Sequence, residues 1–517
     1  MQGSIRIVWF KRDLRVEDHA PLCAAAEAAG REGGRVLPLY IVEPEYWRLP
    51  DVSGRQWAPL AESVAALDGD LRALGGRLTI RVGEAAAVFA TLAAEGRITA
   101  IHAHEETGNQ WTYRRDRAVA AWAREAGIAL QEAPTGGVQR RLRSRDGWAK
   151  EWERRAALPQ LSAPEGVAWA EAATQALPRP EALGLDVPDG TQPGGRGAAL
   201  STLGSFLEAR GARYHKTLSS PLTAYEGCSR LSLHLALGTL STREVAQAAR
   251  ARLAELRGDP DPSARDWRKA LGAFDARLHW RCHFMQKLES EPRFETENVH
   301  PAFDAVRPEG EGADRLAAWA EGRTGLPFVD ACMRALNATG WINFRMRAML
   351  QAVASYHLWL HWRGSGLHLA RAFADYEPGI HWNQSQMQSG TTGINTVRLY
   401  NPVKQGKDHD PQAIFIRRWV PEVRDLTDAL AHEPWRAEAP PKGYPPPMVD
   451  VVAAAKAAKD RIYAVRRGEG FREAANAIQA AHGSRKSGLK QVGAASQRAA
   501  RRREAAAPDP RQWRLDL

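Results

Sequence analysis

The first 135 residues alternate short apolar runs with longer amphipathic segments. Five runs predict buried strands: IRIVWF, VLPLYIV, LTIRV, ITAIHAH and IALQEA. Helices are predicted between them, over residues 20–30, 57–74, 85–95 and 112–126. Such alternation predicts an α/β domain built on a doubly wound parallel sheet. The turn after the first run reads KRDLR rather than GxGxxG, so this domain need not hold the main cofactor.

The rest of the chain changes character twice. Residues 136–199 are rich in Pro, Gly and Ala, which predicts an interdomain linker lying over the surface. Residues 200–467 are helical in pattern and predict an all-α C-terminal domain. Residues 468–517 predict a basic tail, partly helical or disordered. A chain of 517 residues is too long for one compact core, in keeping with this division.

Charge and composition narrow the class of protein. The net charge is +11, which favours a polyanionic partner such as nucleic acid, although a solvated basic tail that binds nothing specific is the alternative. The N-terminus lacks the apolar core of a signal peptide, and the apolar segment 341–362 carries charges, so we expect a cytoplasmic protein without a membrane span. The four cysteines are widely scattered, which argues against a metal knuckle or a disulfide framework.

Residues 375–410 are the most distinctive part of the chain. They read DYEPGIHWNQSQMQSGTTGINTVRLYNPVKQGKDHD, and we predict a Gly-broken loop. Polar groups at this density are costly to bury without partners, so the loop lies either in water or around a polar ligand. The neighbouring motifs favour the ligand.

Three other segments carry candidate chemistry. Tyr214 and the run CSRLS at 228–232 suit a pyrophosphate at a helix N-terminus, or simply contain a Ser N-cap. Trp280, flanked on its helix face by arginines, suits a stacked base with nearby phosphates, or packs into the core. Arg347 and Asp375 are expected to pair if helix and loop meet. The 18 tryptophans suit base stacking or electron transfer, or reflect a large core.

In order and spacing, these motifs closely resemble the photolyase/cryptochrome flavoprotein family. The resemblance covers about residues 4–467. It includes VWFKRDLRVEDHAPL, TGLPFVDACMRALNATGWINFRMR, YNPVKQGKDHDP, FIRRWVPE and HEPW. It implies an N-terminal α/β domain, an all-α FAD-binding domain, and FAD as the cofactor. Residues implied to bind the cofactor are Tyr214, Ser229, Arg230, Leu231, Ser232, Arg281, Trp341, Arg347, Asp375, Glu377 and His381.

The resemblance also implies UV-damaged DNA as partner, with Trp280 flanking a flipped-out lesion. Residues implied to face DNA are Arg277, Trp280, Phe344, Arg345, Met349 and Met387. The chain departs from the pattern at three of these positions. Arg277 replaces a Glu that accepts from the lesion, Phe344 replaces an Asn, and Met387 replaces a second Trp. Arg277 donates but cannot accept.

The redox side departs from the pattern as well. The resemblance assigns catalysis to Trp280, Arg347, Asp375 and His381, with His381 near the position facing flavin N5, where photolyases usually carry Asn. A titratable imidazole there would stabilise a different flavin redox state.

The family's chain of tryptophans for electron transfer is also altered. Trp362 matches its middle member, but the flavin-proximal position is Ser385 and the surface position falls near Glu309. Trp359 or Trp382 is expected to supply another route, or both simply pack.

Metal and antenna sites receive no assignment. No cysteine follows Cys332, so no metal and no iron–sulfur cluster is expected. An antenna chromophore in the N-terminal domain is allowed but unassigned, because Asn109 stands where folate-binding members have Glu, close to Glu105 and Glu106.

The sequence leaves two functions open. The first is light-driven repair of pyrimidine dimers in DNA by electron transfer from reduced FAD, a carbon–carbon lyase reaction whose lesion type is undecided. The second is a cryptochrome-like blue-light receptor without repair activity. A light-independent flavin oxidoreductase is disfavoured because nothing resembles a nicotinamide site. We expect a monomer.

Overall fold

The computed structural model describes residues 3–484, and its N-terminal part is a five-stranded parallel sheet. The strands are β1 (Ile5–Phe10), β2 (Arg35–Val42), β3 (Thr79–Val82), β4 (Ile98–His104) and β5 (Ala129–Ala133), in the order β3-β2-β1-β4-β5. The central strands β1 and β2 are buried over nearly their whole length because helices cover both faces. The predicted doubly wound sheet is confirmed, with all five strands in the expected places.

Helices of this part are α1 (Ala20–Glu32), α2 (Pro44–Trp47), α3 (Gly54–Ala73), α4 (Ala85–Glu95) and α5 (Gln110–Glu125), followed by α6 (Trp148–Ala157). The C-terminal part is all-α: α7 (Arg196–Glu208), α8 (Tyr214–Thr217), α9 (Pro221–Gly227), α10 (Ser232–Leu237), α11 (Thr242–Glu255), α12 (Pro262–Ser290), α13 (Ala313–Ala320), α14 (Pro327–Thr339), α15 (Phe344–Ala352), α16 (Trp362–Ala372), α17 (Pro378–Ser389), α18 (Pro402–His409), α19 (Ile414–Trp419), α20 (Asp428–His432), α21 (Val451–Arg466) and α22 (Phe471–His482). A π-helical turn, Val353–His357, extends α15. Short 3₁₀ turns lie at Pro180–Leu183, Arg210–Arg213, Pro292–Glu295, Pro301–Phe303, Pro421–Val423 and Pro434–Arg436.

The prediction of a loop over residues 375–410 is wrong, because most of this segment is helical. Helix α17 begins at Pro378 and ends at Gly390, which adopts the left-handed conformation at the C-cap. The helix is buried although it is polar. Asn383 donates to the carbonyls of Phe284 and Gly379, and Gln386 donates to neighbouring loop carbonyls. The buried polar groups of this helix are satisfied by hydrogen bonds, and the helix has no apolar stripe. Hydrophobic periodicity therefore gave no signal for a helix.

The segment between the two domains packs closely in several places. Val36 of β2 forms an isolated bridge with Trp169, and the Trp152 side chain of α6 is fully buried. Beyond residue 468, α22 packs on the helical domain, where Phe471 stacks on His300 with ring centroids 4.1 Å apart. The remainder of the predicted basic tail lies outside the described residues. Within the described part, no helix is long and apolar enough to cross a membrane.

Polar contacts fasten the helical domain to the sheet domain. The Gln56 amide of α3 donates to the carbonyls of Ala370 and Phe373, 2.9 and 2.6 Å away. The Tyr376 hydroxyl donates to Asp51 at 2.6 Å. These bonds hold the segment that precedes α17 against the N-terminal domain, and so position the residues described next.

Candidate functional site

A cavity of about 690 Å³ opens among α10, α12, α15 and α17. Its lining includes all eleven residues that the resemblance assigns to the cofactor: Tyr214, Ser229, Arg230, Leu231, Ser232, Arg281, Trp341, Arg347, Asp375, Glu377 and His381. The volume lies within the ordinary range for a cofactor site. The first and last of these residues are more than 160 positions apart in the sequence, so the fold brings them together.

The expected pair between Arg347 and Asp375 forms at the wall of this cavity. Arg347 Nη1 and Nη2 donate to the two carboxylate oxygens of Asp375, at 2.9 and 3.0 Å. Burial alone would raise the pKa of Asp375, but Arg347 and a hydrogen bond from Ser232 outweigh it and hold that pKa below its ordinary value. Asp375 is therefore a fixed negative charge in an otherwise cationic wall.

A second carboxylate, Glu377, is held by arginines from both domains. Arg12 Nη2 donates to it from the N-terminal domain at 3.0 Å, and Arg281 Nη2 donates from α12 at 3.0 Å. Arg281 also donates to the Leu235 carbonyl. Sequence reasoning missed Arg12 because the contact joins residues 365 positions apart.

His381 is buried at the cavity and is neutral. Its Nε2 donates to the Gly366 carbonyl at 2.8 Å, which leaves Nδ1 as an acceptor. Burial lowers the pKa of His381 to about 4. The residue therefore offers an acceptor nitrogen at neutral pH.

Another part of the wall is aromatic and cationic. Arg230 lies over the rings of Trp341 and Tyr225, at 4.0 and 4.3 Å from their centroids. Its Nη1 is buried and has no hydrogen-bond partner among the described residues. Burial raises the pKa of Tyr214 to about 12, so its hydroxyl stays a donor. An unmatched cationic donor, hydroxyl groups and ring faces fit FAD, whose pyrophosphate accepts and whose rings stack.

The mouth of the cavity carries four of the six residues assigned to DNA. They are Arg277, Trp280, Phe344 and Met387. Trp280 is 39% exposed and stacks on Phe284 with centroids 5.6 Å apart. Arg277 lies over the Phe344 ring at 5.3 Å. The mouth is thus an exposed aromatic rim with a cation beside it.

The other two residues predicted to face DNA, Met349 and Arg345, do not lie at the mouth. Met349 is fully buried in the core of the helical domain, so the prediction that it faces DNA is wrong. Arg345 does not line the cavity and lies close enough to His409 to lower the pKa of that imidazole, after burial. Both follow Phe344 on α15, whose turns point these side chains away from the mouth.

The three tryptophans assigned to electron transfer lie behind the cavity. Trp382 contacts His381 with ring centroids 4.8 Å apart, and Trp362 with centroids 5.9 Å apart. Both indoles are buried, and Trp362 Nε1 donates to Asn298. Trp359 is half-buried, between Arg307 and Arg461, and makes no ring contact with the other two that the structure records.

Sequence reasoning also missed polar residues that line the cavity, including Lys287, Arg398, Gln351, Gln384 and Gln388. Burial, with Arg145 nearby, lowers the pKa of Lys287 to about 8. A signal existed for Lys287, because it lies on the Trp280 and Phe284 face of α12 at helical spacing. Gln384 and Gln388 lie in the polar segment 375–410, whereas Gln351 gave no signal.

The region considered for an antenna is occupied by protein contacts. The Asn109 side chain accepts from Thr112 N–H and donates to Asp51, so it caps α5. Arg115 Nη2 donates to Glu106 at 2.6 Å. The cavity beside Glu105 and Glu106 measures about 60 Å³, too small for a folate or flavin without rearrangement.

A cluster of Asp13, His19 and His104 has the residue types of a metal site but not the proton arrangement. His19 Nδ1 accepts from Leu22 N–H, so Nε2 carries the hydrogen that it donates to Asp13 at 2.9 Å. His104 Nδ1 and Asp13 are 2.7 Å apart. A metal ion would need the Nε2 lone pair of His19, and that nitrogen carries a hydrogen. The hydrogen bonds of this cluster instead connect β1, β4 and α1.

The fold and the cavity define a two-domain flavoprotein with a buried cofactor pocket that opens to an aromatic rim. Two family models match the chain: "DNA photolyase" over residues 6–138 and "FAD binding domain of DNA photolyase" over residues 274–464. The chain belongs to the photolyase/cryptochrome flavoprotein family and has its FAD-binding domain.

Individual relatives carry both names of the family. The chain is 32% identical to a deoxyribodipyrimidine photo-lyase of Thermus thermophilus, over 80% of this chain and 92% of the relative. It is 28% identical to a cryptochrome DASH of Gloeobacter violaceus, over 90% and 96%. The crystal structure of a class III photolyase from Agrobacterium tumefaciens superposes with a TM-score of 0.77 at 25% identity, covering 90% of this chain and 99% of that one.

Proposed function

We propose that the protein is a light-driven DNA repair lyase that splits UV-induced pyrimidine dimers. The observation that carries the proposal is the exposed pair Trp280 and Phe344, which stands at the mouth of the FAD cavity. Exposed aromatic rings that rim a cavity mark a binding surface, and unpaired bases stack on such rings. A lesion flipped out of the helix costs less to extrude than an intact pair.

The residues that line the cavity form two groups. Those at its floor would hold FAD, and those at its mouth would hold the lesion. Reduced FAD, when bound, supplies the light absorption and the electron for bond cleavage. Arg347 and Asp375 fix the charge around the ring system, and Arg230 with Tyr214 holds its phosphates. His381 keeps an uncharged acceptor in place at neutral pH.

At the mouth, the side chains position the lesion. Trp280 and Phe344 stack on its bases, while Arg277 donates to a base carbonyl or a phosphate. Lys287 and Arg398 add positive charge for the DNA backbone. Because Arg277 cannot accept, recognition here relies on stacking and donated hydrogen bonds rather than on a carboxylate.

With FAD bound, Trp382 and Trp362 would relay electrons to it from a reductant in solution. Their rings form a continuous contact path from His381 into the helical domain. A thiol reductant in solution supplies the electron that finally replaces the one given up by the indoles.

The test is repair by photoreduced holoprotein. Oligonucleotides with one cyclobutane dimer, single- and double-stranded, are illuminated with blue or near-UV light, and restored thymines are counted against a dark control. Repair that depends on light and is lost in Trp280→Ala supports the proposal. No repair of a cyclobutane or a (6-4) product by protein with reduced FAD overturns it.

A blue-light receptor is the second candidate, because Arg277 and Phe344 replace residues that contact the lesion in repair enzymes. Its test is limited proteolysis of the region after residue 484 in the dark and in the light. A light-dependent digestion pattern together with absent repair would favour signalling.

A further inference from the structure

Helix α22 lies beyond residue 464, where the match to the FAD-binding family model ends. Its inward-facing residues recur at helical spacing: Phe471, Ala475, Ile478 and His482. Ile478 packs against the end of α12 and the 3₁₀ turn after it. Gly483 and Ser484, directly after the helix, line the FAD cavity. Residues outside the family model therefore form part of the cavity wall.

Lys287 of α12 lies in the same wall and carries a charge that no acid balances. Its ammonium lies over the Phe284 ring, 5.5 Å from the centroid, and Phe284 in turn stacks on Trp280. Burial, with Arg145 nearby, lowers the pKa of Lys287 to about 8, and no carboxylate among the described residues is close enough to raise it. Lys287 therefore stays mostly protonated at pH 7.

His283 precedes Lys287 by one helical turn and also lines the cavity. Its Nδ1 accepts a hydrogen bond from Arg145 Nη2, so the neutral ring carries its hydrogen on Nε2. Burial and the neighbouring cations lower the pKa of His283 to about 2, so the ring is neutral at pH 7. It contacts Trp280 edge-on, with ring centroids 5.2 Å apart. His283 is thus a neutral donor beside Trp280.

Basic groups surround this part of the wall. Burial, with Lys287 and Arg145 nearby, lowers the pKa of His482 at the end of α22 to about 4. Among the described residues, all the groups that shift the pKa values of Lys287, His283 and His482 are bases. Such a wall attracts an anion, and an ammonium and an imidazole N–H both donate hydrogen bonds to a phosphate oxygen.

We propose that Lys287 and His283, together with the end of α22, form a subsite for the backbone phosphate next to a flipped-out lesion. A base stacked on Trp280 lies close to both donors, because His283 contacts Trp280 directly and Lys287 is separated from it by one ring. Nucleotides that remain stacked in an intact strand do not enter the cavity. The subsite therefore favours damaged over undamaged DNA, and this inference rests on the proposed function.

The first test measures binding of the full-length holoprotein to oligonucleotides with and without a cyclobutane dimer, by fluorescence anisotropy. Lys287→Gln should weaken binding to the damaged strand by about tenfold, because one charge-assisted contact is lost, and to the undamaged strand by less than about twofold. The slope of log affinity against log salt concentration should become shallower by about one for damaged DNA. Lys269→Gln is the matched control, since Lys269 lies on the same helix, is exposed and lines none of the described cavities.

A second measurement locates the phosphate. In damaged oligonucleotides, one phosphate at a time around the dimer is replaced by an uncharged methylphosphonate. At one position this replacement should cost the wild-type protein about tenfold in affinity and Lys287→Gln less than about threefold, because the variant has already lost that contact. Ser484→Glu, which places a negative charge at the end of α22, should also weaken binding to the damaged strand. Unchanged flavin absorbance in these variants shows that FAD is retained.

The subsite is overturned if Lys287→Gln and Lys269→Gln bind damaged DNA alike, or if Lys287→Gln loses damaged and undamaged DNA equally. It is also overturned if the methylphosphonates cost both proteins the same at every position. Wild-type protein without any preference for damaged DNA would contradict the proposed function as well. If that preference is present and Lys287→Gln retains it in full, only the subsite fails, so the two failures are distinguishable.

Discussion

The floor and the mouth of the FAD cavity are built on different physical terms. On the floor, charged side chains are held by one another: Arg347 pairs with Asp375, and Glu377 accepts from two arginines. At the mouth, Trp280 and Phe344 are partly exposed. Trp280 stacks on the Phe284 ring, and the Arg277 guanidinium lies over the Phe344 ring.

This contrast explains where the chain follows its family and where it departs. Replacing one member of a buried ion pair leaves the other charge without compensation, so the floor is hard to change. A half-exposed ring can be replaced at little cost to the fold. We infer that substrate preference varies at the mouth while the buried ion pairs of the floor are retained.

The largest effect is expected from breaking the floor. Asp375→Asn removes the charge but keeps the shape, and should lower the free energy of unfolding of the holoprotein by about 3–5 kcal/mol, because Arg347 and Arg230 lose their counter-charge. Denaturant titration and FAD content measure this. Arg31→Ala, which breaks an exposed pair with Glu27, should change stability by less than about 1 kcal/mol. Equal effects of the two variants would contradict the stabilising role assigned to the buried pair.

A change at the mouth should leave the floor intact. Trp280→Ala should weaken binding to dimer-containing DNA by roughly 1–3 kcal/mol, the range for one stacked base, with FAD still bound. Binding is measured by fluorescence anisotropy with labelled oligonucleotides. Tyr463→Ala is the control, because Tyr463 is 38% exposed and lines none of the described cavities. Loss of FAD from Trp280→Ala would mean that mouth and floor are one unit.

His381 sharpens the comparison through pH. The folded imidazole resists protonation until about pH 4, whereas the unfolded one titrates near 6.5, so falling pH favours the unfolded state across this window. Stability that is fully present above pH 6.5 is therefore lost between pH 6.5 and 4. In His381→Asn, the loss between pH 7 and pH 5 should be smaller by about 2 kcal/mol.

Denaturant titrations at the two pH values measure the difference. His215→Asn serves as control, because His215 lies outside the described cavities and its pKa is lowered without a large shift. The same change in both variants would place the acid sensitivity elsewhere.

The smallest effect concerns the indoles behind the floor. Trp382→Phe should slow photoreduction of bound FAD by roughly tenfold, because the path from the cavity to Trp362 then lacks its first indole. Time-resolved absorption of the tryptophan radical gives a second readout. Trp359→Phe should have little effect, and a stronger effect there than in Trp382→Phe would redirect the path.

Strong local patterns made much of this architecture predictable. The central strands β1 and β2 are nearly continuous apolar runs. The cofactor residues lie in motifs that the resemblance recognises. Helix α17 was missed because its buried face is polar and donates hydrogen bonds to backbone carbonyls of α12 and of the 3₁₀ turn after it. Met349 was misplaced because only the direction of its side chain on α15, not its neighbourhood in sequence, decides whether it reaches the cavity.

Contacts between domains were beyond local pattern. Arg12 lies in a motif that the sequence singles out, yet its partner Glu377 lies 365 positions later in the sequence. The capture of Asn109 as a helix cap likewise depends on tertiary contacts with Asp51. Such pairings follow from how the two domains dock, which periodicity does not encode.

Arg12 couples the flavin pocket to the N-terminal domain, because its guanidinium donates to Glu377 in the pocket wall. During synthesis the N-terminal half emerges hundreds of residues before the glutamate it must meet. The pocket therefore matures only after the whole helical half is made, and a truncated chain lacks a complete wall. The visible absorbance of bound flavin in the purified protein should therefore report on correct docking of the two domains. Its loss on mild denaturation should accompany their separation.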